Sequence, residues 1–220
     1  MLAKPYMQHV VQSDSKRKLI MWPRGAGKTS YIVHSAIREM LLGKRVLVIT
    51  PDKLFSERIF NSIVEQLESN ILLSSYSGLV KRIVKFPYFQ IRTHLDSQII
   101  FASSDYSLCG QSADIIYVDE GCSIKKDVYT GCILPILQTE EHTAIEVLFT
   151  PNAVREKDIE YGFYQGDRFL RILWEEDPQW EHFHTTYRYM DNSSKIEEYQ
   201  STMSWPEFRA QFLAEWVTIE

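Results

Sequence analysis

The chain has 220 residues, of which 45% are hydrophobic and 24% are charged, the proportions of a globular protein with one large domain or a domain plus a small appendage. A formal net charge of −5 argues against a protein that coats nucleic acid non-specifically. No apolar run reaches the roughly 18 residues of a membrane span, and the N-terminus lacks the apolar core of a signal peptide, so we expect a protein that is not secreted and has no membrane partner.

Charge is distributed unevenly along the chain. Residues 1–50 carry nine Lys/Arg and two Asp/Glu, whereas residues 151–220 carry seven and fourteen. Two basic clusters, Lys16-Arg17-Lys18 and Lys81-Arg82-x-x-Lys85, are candidates for contacts with phosphates, although solvated charges at the ends of elements would give the same pattern. The cysteines, which lack metal-ligand spacing, are interpreted as three reduced, buried thiols of a cytosolic protein: Cys109, Cys122 and Cys132.

Apolar runs alternate with helical patterns along the first 150 residues. Strands are predicted at 18–22, 45–50, 98–103, 115–118 and 144–150, and helices at 29–42, ending before Gly43, and at 51–69. This order predicts an α/β fold with a mostly parallel central sheet and helices on both faces. Beyond residue 150 the pattern becomes irregular and aromatic. We therefore expect a core over residues 1–175 and a small, helical, aromatic-rich lid subdomain over 176–220.

The most informative motif lies between the first strand and the first helix. Its sequence is Trp22-Pro23-Arg24-Gly25-Ala26-Gly27-Lys28-Thr29. A strand, a turn ending in Gly-Lys-Thr and a helix form the phosphate-binding loop of nucleotide hydrolases, in which backbone N–H groups surround the phosphates. Lys28 would reach the β- and γ-phosphates of ATP and Thr29 would hold Mg²⁺. Trp22 stands where the usual pattern has Gly. The residues assigned to the nucleotide are Pro23, Arg24, Gly25, Ala26, Gly27, Lys28, Thr29 and Ser30.

A second motif follows a later apolar strand, Ile115 to Val118, which ends in Asp119-Glu120. A carboxylate at the end of a strand can hold Mg²⁺ beside Thr29, and the adjacent Glu120 can polarise the water that attacks the γ-phosphate. Together the two motifs predict a phosphate-loop ATPase of the ASCE type that uses ATP and Mg²⁺. The alternative for Asp119 and Glu120 is a pair that caps the next helix.

Three further residues are candidates for the same site. Arg24 lies within the loop and could stabilise charge developing on the γ-phosphate, or form a salt bridge that pins the loop. Upstream, the Gln8 amide could read adenine and the Tyr6 ring could stack on the base, although both could equally be surface polar groups.

With these motifs in place, the chain resembles the ATPase domain of the large terminase subunit, the motor that packages DNA into tailed-phage and herpesvirus-type capsids. Four segments carry the resemblance: the deviant loop 22–29, the approach 103–114 to the acidic strand, Leu148-Phe149-Thr150-Pro151-Asn152, and the helical pattern Glu207-Phe208-x-x-Gln211-Phe212-x-x-Glu215-Trp216. In the approach segment, Cys109 replaces the Arg that often stands in the family.

The resemblance implies roles and partners that the residues alone do not. Thr150 would couple hydrolysis to movement, although it could also cap a turn with Pro151. The implied partners are double-stranded DNA, a portal protein, a small terminase subunit and further copies in a ring. The implied location is the host cytoplasm, docked transiently on the procapsid.

The family normally continues into a two-metal nuclease. We expect that nuclease on a separate or truncated segment and no DNA cleavage by this chain. The acidic stretch Trp174-Glu175-Glu176-Asp177-Pro178 is interpreted as a solvated turn rather than a substitute metal site.

The role of the aromatic tail and the overall function each have more than one interpretation. Aromatic residues of the tail, with Phe208, Phe212 and Trp216 at helical spacing, are interpreted as the core of the lid rather than as a surface that stacks on bases. Ser204 is predicted to cap that helix, with Pro206 in its first turn. The rival functions are a helicase-like, DNA-dependent ATPase fragment and a catalytically silent nucleotide-binding scaffold.

Overall fold

The computed structural model describes residues 4–69, 80–85, 89–104, 110–139, 142–190 and 193–219. The strands within these ranges are β1 (Arg17–Met21), β2 (Arg45–Thr50), β3 (Val80–Val84), β4 (Gln90–Thr93), β5 (Gln98–Ser103), β6 (Ile115–Val118), β7 (Ala144–Phe149), β8 (Ala153–Arg155), β9 (Glu181–His184) and β10 (Val217–Ile219). The α-helices are α1 (Pro5–Gln12), α2 (Lys28–Leu41), α3 (Lys53–Ser69), α4 (Lys126–Val128), α5 (Leu134–Thr139), α6 (Glu156–Glu160), α7 (Gln165–Glu176), α8 (Ser193–Thr202) and α9 (Trp205–Phe208).

Eight of the strands form one sheet in the order β3-β4-β5-β2-β6-β7-β1-β9, and β8 and β10 form a second, two-stranded sheet. β2 pairs in parallel with both β5 and β6, and β1 pairs in parallel with β9. The pairs β3–β4 and β4–β5 are antiparallel. The predicted α/β fold with a mostly parallel sheet is therefore confirmed.

The chain divides into two compact units, and β7 contributes to both. The first unit comprises residues 1–28, 120–126 and 147–220, and the second comprises residues 29–119 and 127–146. The domain boundary expected at residue 175 stays a prediction.

The second unit is built on apolar strands and the apolar faces of two helices. Every residue of β6 is buried, as is β2 after its first residue. This is the burial that an unbroken apolar run predicts for a central parallel strand. In α2 the buried residues recur at helical spacing and include Ile32, Val33, Ala36, Ile37 and Met40. The Ile, Val and Met side chains among them each contribute about 1.5–3 kcal/mol when fully buried, so this stripe fixes the helix against its unit.

The aromatic tail belongs to the first unit and has a small core of its own. Phe208 and Phe212 are buried with Ile196, and their rings stack with centroids 5.2 Å apart. Ser204 caps α9 in a reciprocal capping box with Glu207, as its position predicts. The interpretation of Phe208 and Phe212 as core residues is confirmed.

Trp216 does not continue that helical stripe, because the π-helical turn Arg209–Leu213 ends at Ala214, which has φ +52°. Its ring stacks instead on Phe149, the last residue of β7, with centroids 5.5 Å apart.

Several sequence-based boundaries are corrected by the structure. α3 begins at Lys53 because the Asp52 carboxylate accepts hydrogen bonds from the backbone N–H groups of Leu54 and Phe55 and so caps the helix. Trp174, Glu175 and Glu176 are the last residues of α7 rather than a turn, because the helical hydrogen-bond pattern continues to the Asp177 N–H. Residues 181–184, in the stretch expected to be helical, form β9 beside β1.

Cys132 is buried, as expected, and its redox state stays a prediction. Cys122 is a free, buried thiol, and Cys109 lies outside the described residues.

In the part of the chain that the structure describes, none of the helices combines the length and apolar character that crossing a bilayer requires.

Candidate active site

The phosphate-loop motif occupies the turn between β1 and α2, as its sequence predicts. Gly25 and Gly27 have φ of +77° and +91°, values that favour glycine at both positions. Inside the turn the Ala26 N–H donates to the Pro23 carbonyl oxygen at 3.2 Å. The Arg24 N–H donates to the Gln211 carbonyl oxygen at 2.8 Å, so the loop backbone is held from the tail of the same unit.

Trp22 occupies the first loop position and is fully buried. Its N–H donates to the Phe149 carbonyl oxygen at 3.1 Å, and its own carbonyl oxygen accepts a hydrogen bond from the Thr150 hydroxyl at 2.7 Å. The Tyr6 ring meets the indole edge-on with centroids 4.9 Å apart. Trp22 therefore anchors the start of the loop to the end of β7.

Lys28, the loop lysine, is buried among polar groups of the first unit. Its ammonium donates to the Thr150 hydroxyl at 2.5 Å and to the Pro23 carbonyl oxygen at 3.5 Å. The Glu120 carboxylate lies 3.8 Å from the same nitrogen. The structure thus brings together three predicted site residues, Lys28, Glu120 and Thr150, that are far apart in the sequence.

Glu120 has a backbone conformation that is uncommon for its residue type. It lies in the left-handed region with φ +49° and ψ +50°, and its side chain does not cap the 3₁₀ turn Gly121–Ser123 that follows. Its side chain is 35% exposed, so it is accessible to solvent as a base requires. Left-handed backbone in a non-glycine residue costs free energy and concentrates at functional sites. The capping alternative therefore has no support at Glu120.

Thr29 and Asp119 form the corresponding pair of the second unit. The Thr29 hydroxyl donates to the Asp119 carboxylate at 3.0 Å, and Asp119 is fully buried. Its backbone N–H donates to the Ile49 carbonyl oxygen of β2 at 2.9 Å, which fixes its position at the end of β6. A hydroxyl and a carboxylate are hard oxygen ligands of the kind that Mg²⁺ prefers, so these residues fit a magnesium ion.

The segment after β7 is fixed at each of its three residues. Thr150 bridges Lys28 and Trp22 through its hydroxyl, rather than capping a turn with Pro151. The Gln211 side-chain amide lies 3.4 Å from the Pro151 carbonyl oxygen, to which it donates. Asn152 donates to the Asp167 carboxylate from both its backbone N–H and its side-chain amide, each at 2.8 Å.

Sequence reasoning missed Asp167, and it expected Cys122 only as a buried, reduced thiol without a place beside the site. Asp167 is buried in the first turn of α7, and burial raises the pKa of its carboxyl, although hydrogen bonds from Asn152 and Cys122 act in the opposite direction. Burial, followed by the charge of Asp167, raises the pKa of the Cys122 thiol well above its usual value. The signal in the sequence was an Asp at the start of an amphipathic segment, which is too common to single out.

The remaining predicted site residues lie at the edges of this arrangement. Arg24 is exposed and forms no ion pair with the described residues, so the pinning salt bridge has no support. The Tyr6 hydroxyl donates to the Ala26 carbonyl oxygen at 2.7 Å, which attaches α1 to the loop. Gln8 and Ser30 are exposed on α1 and α2. Adenine recognition by Tyr6 and Gln8 stays a prediction.

The approach to the acidic strand is described from Gly110 onwards. Asp114 accepts hydrogen bonds from the Arg45 backbone N–H and guanidinium, both at 2.7 Å. This Asp therefore joins the starts of β2 and β6. The Arg45 hydrogen bonds hold the pKa of the Asp114 carboxyl below its usual value. The position of Cys109 lies outside the described residues.

Comparisons with known proteins agree at the level of the fold. No protein-family model and no curated protein matches the sequence. The solved ATPase domain of the large terminase of Thermus phage P74-26 is similar, with a TM-score of 0.75 and 19% identity over 98% of this chain and 94% of that domain. The large terminase of bacteriophage HK97 is similar with a TM-score of 0.68 and 13% identity, over 98% of this chain and 51% of that one.

The architecture first defines a class: an α/β protein in which a glycine-containing loop joins a parallel strand of the sheet to a helix. Within that class, the chain has the fold of the ATPase domain of phage large terminases, and the resemblance stated from the sequence is confirmed at that level. The chain spans about half the length of the HK97 protein.

Proposed function

We propose that the chain is an ATPase that drives the packaging of double-stranded DNA into a preformed viral capsid. The observation that carries the proposal is the cluster in which the buried Lys28 ammonium lies 2.5 Å from the Thr150 hydroxyl and 3.8 Å from the Glu120 carboxylate. Phosphoryl transfer requires a phosphate-binding cation close to a residue that activates the nucleophile. Thr150 connects that cation to the end of the neighbouring strand β7. The likeness of the fold to terminase ATPase domains supports the same conclusion.

Each residue has a role that follows from its chemistry. Lys28 neutralises charge on the β- and γ-phosphates of ATP, and the loop N–H groups bind the phosphate oxygens. Glu120 accepts a proton from the attacking water, and the exposed Arg24 guanidinium stabilises charge on the γ-phosphate.

Thr29 and Asp119 would hold Mg²⁺, which neutralises charge on the phosphates when bound. Because Thr29 follows Lys28 and Asp119 precedes Glu120 in the chain, the residues for metal and for phosphate are joined directly through the backbone.

Thr150 supplies the link to movement in this proposal. Its hydroxyl both accepts from Lys28 and donates to Trp22, so a change in the partners of Lys28 on phosphate binding alters what holds the end of β7. We further propose the partners implied by the resemblance: duplex DNA, a portal protein, a small terminase subunit, a nuclease domain or subunit, and further copies in a ring. The proposed location is the host cytoplasm, at the procapsid.

Substitution of Glu120 tests the proposed chemistry. Glu120→Gln removes the base but keeps the size of the side chain, so we expect ATP binding to persist while the turnover number falls by about 10²–10⁴-fold. ATP affinity by fluorescence titration and phosphate release measure the two quantities. Glu57→Gln, on an exposed position of α3, is the matched control. Undiminished hydrolysis by Glu120→Gln would refute its role as base, and ATP binding without turnover in the parent chain would favour a silent scaffold.

The polynucleotide that stimulates hydrolysis tests the proposed substrate. We expect duplex DNA, with or without an empty capsid that bears a portal, to raise the ATPase rate. Stimulation by single strands alone would contradict the packaging function and favour a helicase-like ATPase.

A further inference from the structure

The start of α7 contacts two segments that carry proposed site residues, and both contacts lie within the first unit. One segment, residues 120–124, begins at Glu120 and includes the turn Gly121–Ser123. The other, residues 150–152, begins at Thr150. Neither Gly166 nor Asp167, the α7 residues that make these contacts, has a role in the chemistry proposed above.

Asp167 holds the second segment through two hydrogen bonds of good geometry. Its two carboxylate oxygens accept separately from the backbone N–H and the side-chain amide of Asn152, both at 2.8 Å. Asp167 is only 3% exposed, so these bonds form where water competes little and where loss of a partner is costly. Asn152 is therefore fixed in position and orientation, two residues after Thr150.

Gly166 and Asp167 both lie against the first segment. A Cβ atom at Gly166 would lie 2.4 Å from the carbonyl oxygens of both Cys122 and Ile124, so the helix backbone lies directly against this turn. The Cys122 thiol lies close enough to the Asp167 carboxylate, the same group that binds Asn152, for the carboxylate charge to raise the pKa of the thiol. One carboxylate thus joins the segment after Glu120 to the segment after Thr150.

The other end of α7 is also attached to β7. The Trp174 ring meets the Phe149 ring edge-on with centroids 6.1 Å apart, and stacks on His182 of β9 at 4.3 Å. Because Phe149 directly precedes Thr150, α7 is attached on both sides of the Thr150 position. A shift of the β7 end relative to α7 must therefore break or rearrange contacts at Asp167.

We infer that Asp167 is a positioning residue that links residues 120–124, which follow the proposed base, to residues 150–152, which follow β7. When hydrolysis displaces the first segment, the second segment and α7 therefore move with it. The expected effect on turnover rests on the proposed ATPase function, whereas the contact between Asp167 and the two segments does not. Asp167 does not touch the nucleotide in this account; it acts through Asn152 and Cys122.

The test uses Asp167→Asn together with a reciprocal exchange. The single variant removes the negative charge that both Asn152 donors face and leaves one acceptor oxygen at residue 167 instead of two. We therefore expect the turnover number for ATP to fall at least tenfold while KM changes less than twofold. In the double variant Asp167→Asn/Asn152→Asp, the residue-152 carboxylate accepts from the residue-167 amide, and turnover should return to within threefold of the parent. Glu176→Gln, exposed at the other end of α7, is the control.

Amide hydrogen exchange of residues 120–124 and 150–154 provides a readout that does not require hydrolysis. We expect Asp167→Asn to accelerate exchange in both segments and the double variant to reverse this. Unchanged exchange in the single variant, or full turnover with normal exchange, overturns the inference whatever the parent's activity. If the parent hydrolyses no ATP but exchange responds as expected, the positioning contact stands and the proposed function alone fails.

Discussion

At Gly166 the fold leaves no space for a side chain, because backbone carbonyl oxygens of Cys122 and Ile124 occupy it. These are backbone atoms, so they cannot yield as the end of a flexible side chain would. We expect Gly166→Ala to destabilise the protein by about 1–3 kcal/mol, the usual cost of overpacking, as measured by urea unfolding.

Gly131 provides the matched control for that substitution. It lies in the π-helical turn Tyr129–Ile133, and a Cβ atom there would meet no atom within 4 Å. Gly131→Ala should therefore be neutral or slightly stabilising. Equal loss of stability in both variants would show that the cost is not specific to the contact at Gly166.

Asp114 gives a prediction about pH at the same scale. Hydrogen bonds from Arg45 lower the pKa of the Asp114 carboxyl in the folded chain. The pair therefore stabilises the fold above the unfolded value of about 3.9, and this contribution is lost as the pH falls through the folded value. Because the carboxylate is 39% exposed, solvent screening limits the contribution to less than about 1 kcal/mol.

Urea unfolding at pH 7 and pH 3 checks this expectation. Asp114→Asn should lower the free energy of unfolding at pH 7 and make a smaller difference at pH 3. A larger difference at pH 3 than at pH 7 would contradict the assigned sign.

Among the elements, β3 is the one that presents exposed positive charge at the edge of the sheet. Lys81 and Arg82 are exposed, and Arg82 pairs directly across the strands with Arg92 of β4. Like charges directly opposite each other are unfavourable, and we propose that the phosphates of DNA neutralise them at this edge. The other basic cluster is partly structural, because Lys18 is buried and donates to the Val10 carbonyl oxygen at 2.9 Å.

The salt dependence of DNA binding tests the role of β3. If Lys81 and Arg82 each contact one phosphate, the double alanine variant should weaken duplex binding and reduce the slope of log affinity against log salt by about 0.9 for each lost contact. Lys157→Ala, an exposed charge on α6, should leave the slope unchanged. The assignment fails if the double variant keeps the parental slope.

Elements differ in how far their sequence determines them. The predicted bounds of β2, β5 and β6 agree with the structure, because an unbroken apolar run has few alternatives to a central strand. The sequence did not predict α1, because Val10 is the one residue that this helix buries, and a single buried position gives no apolar stripe at helical spacing. α7 was missed since its core-facing positions include Gly166 and Asp167 beside Phe169 and Leu170, and neither of the first two reads as apolar.

At the scale of the whole molecule, adjacency in the chain was predictable and adjacency in space was not. The motifs place Thr29 beside Lys28 and Glu120 beside Asp119 without any knowledge of the fold. The contact of Lys28 with Thr150 depends on β7 lying next to β1, which is a property of the strand order. The buried carboxylate of Asp167 depends in the same way on partners that only the tertiary structure supplies.

The buried Trp22 has a consequence for how such chains are found. The non-glycine residues with positive φ in the described ranges are Asp96, Glu120, Tyr164 and Ala214, and the first loop position is not among them. The left-handed backbone falls instead at Gly25 and Gly27, the fourth and sixth positions of the loop. A search pattern that demands glycine first rejects this chain. A search pattern that requires glycine at the fourth and sixth loop positions, and accepts any residue at the first, would also find loops that a large side chain anchors.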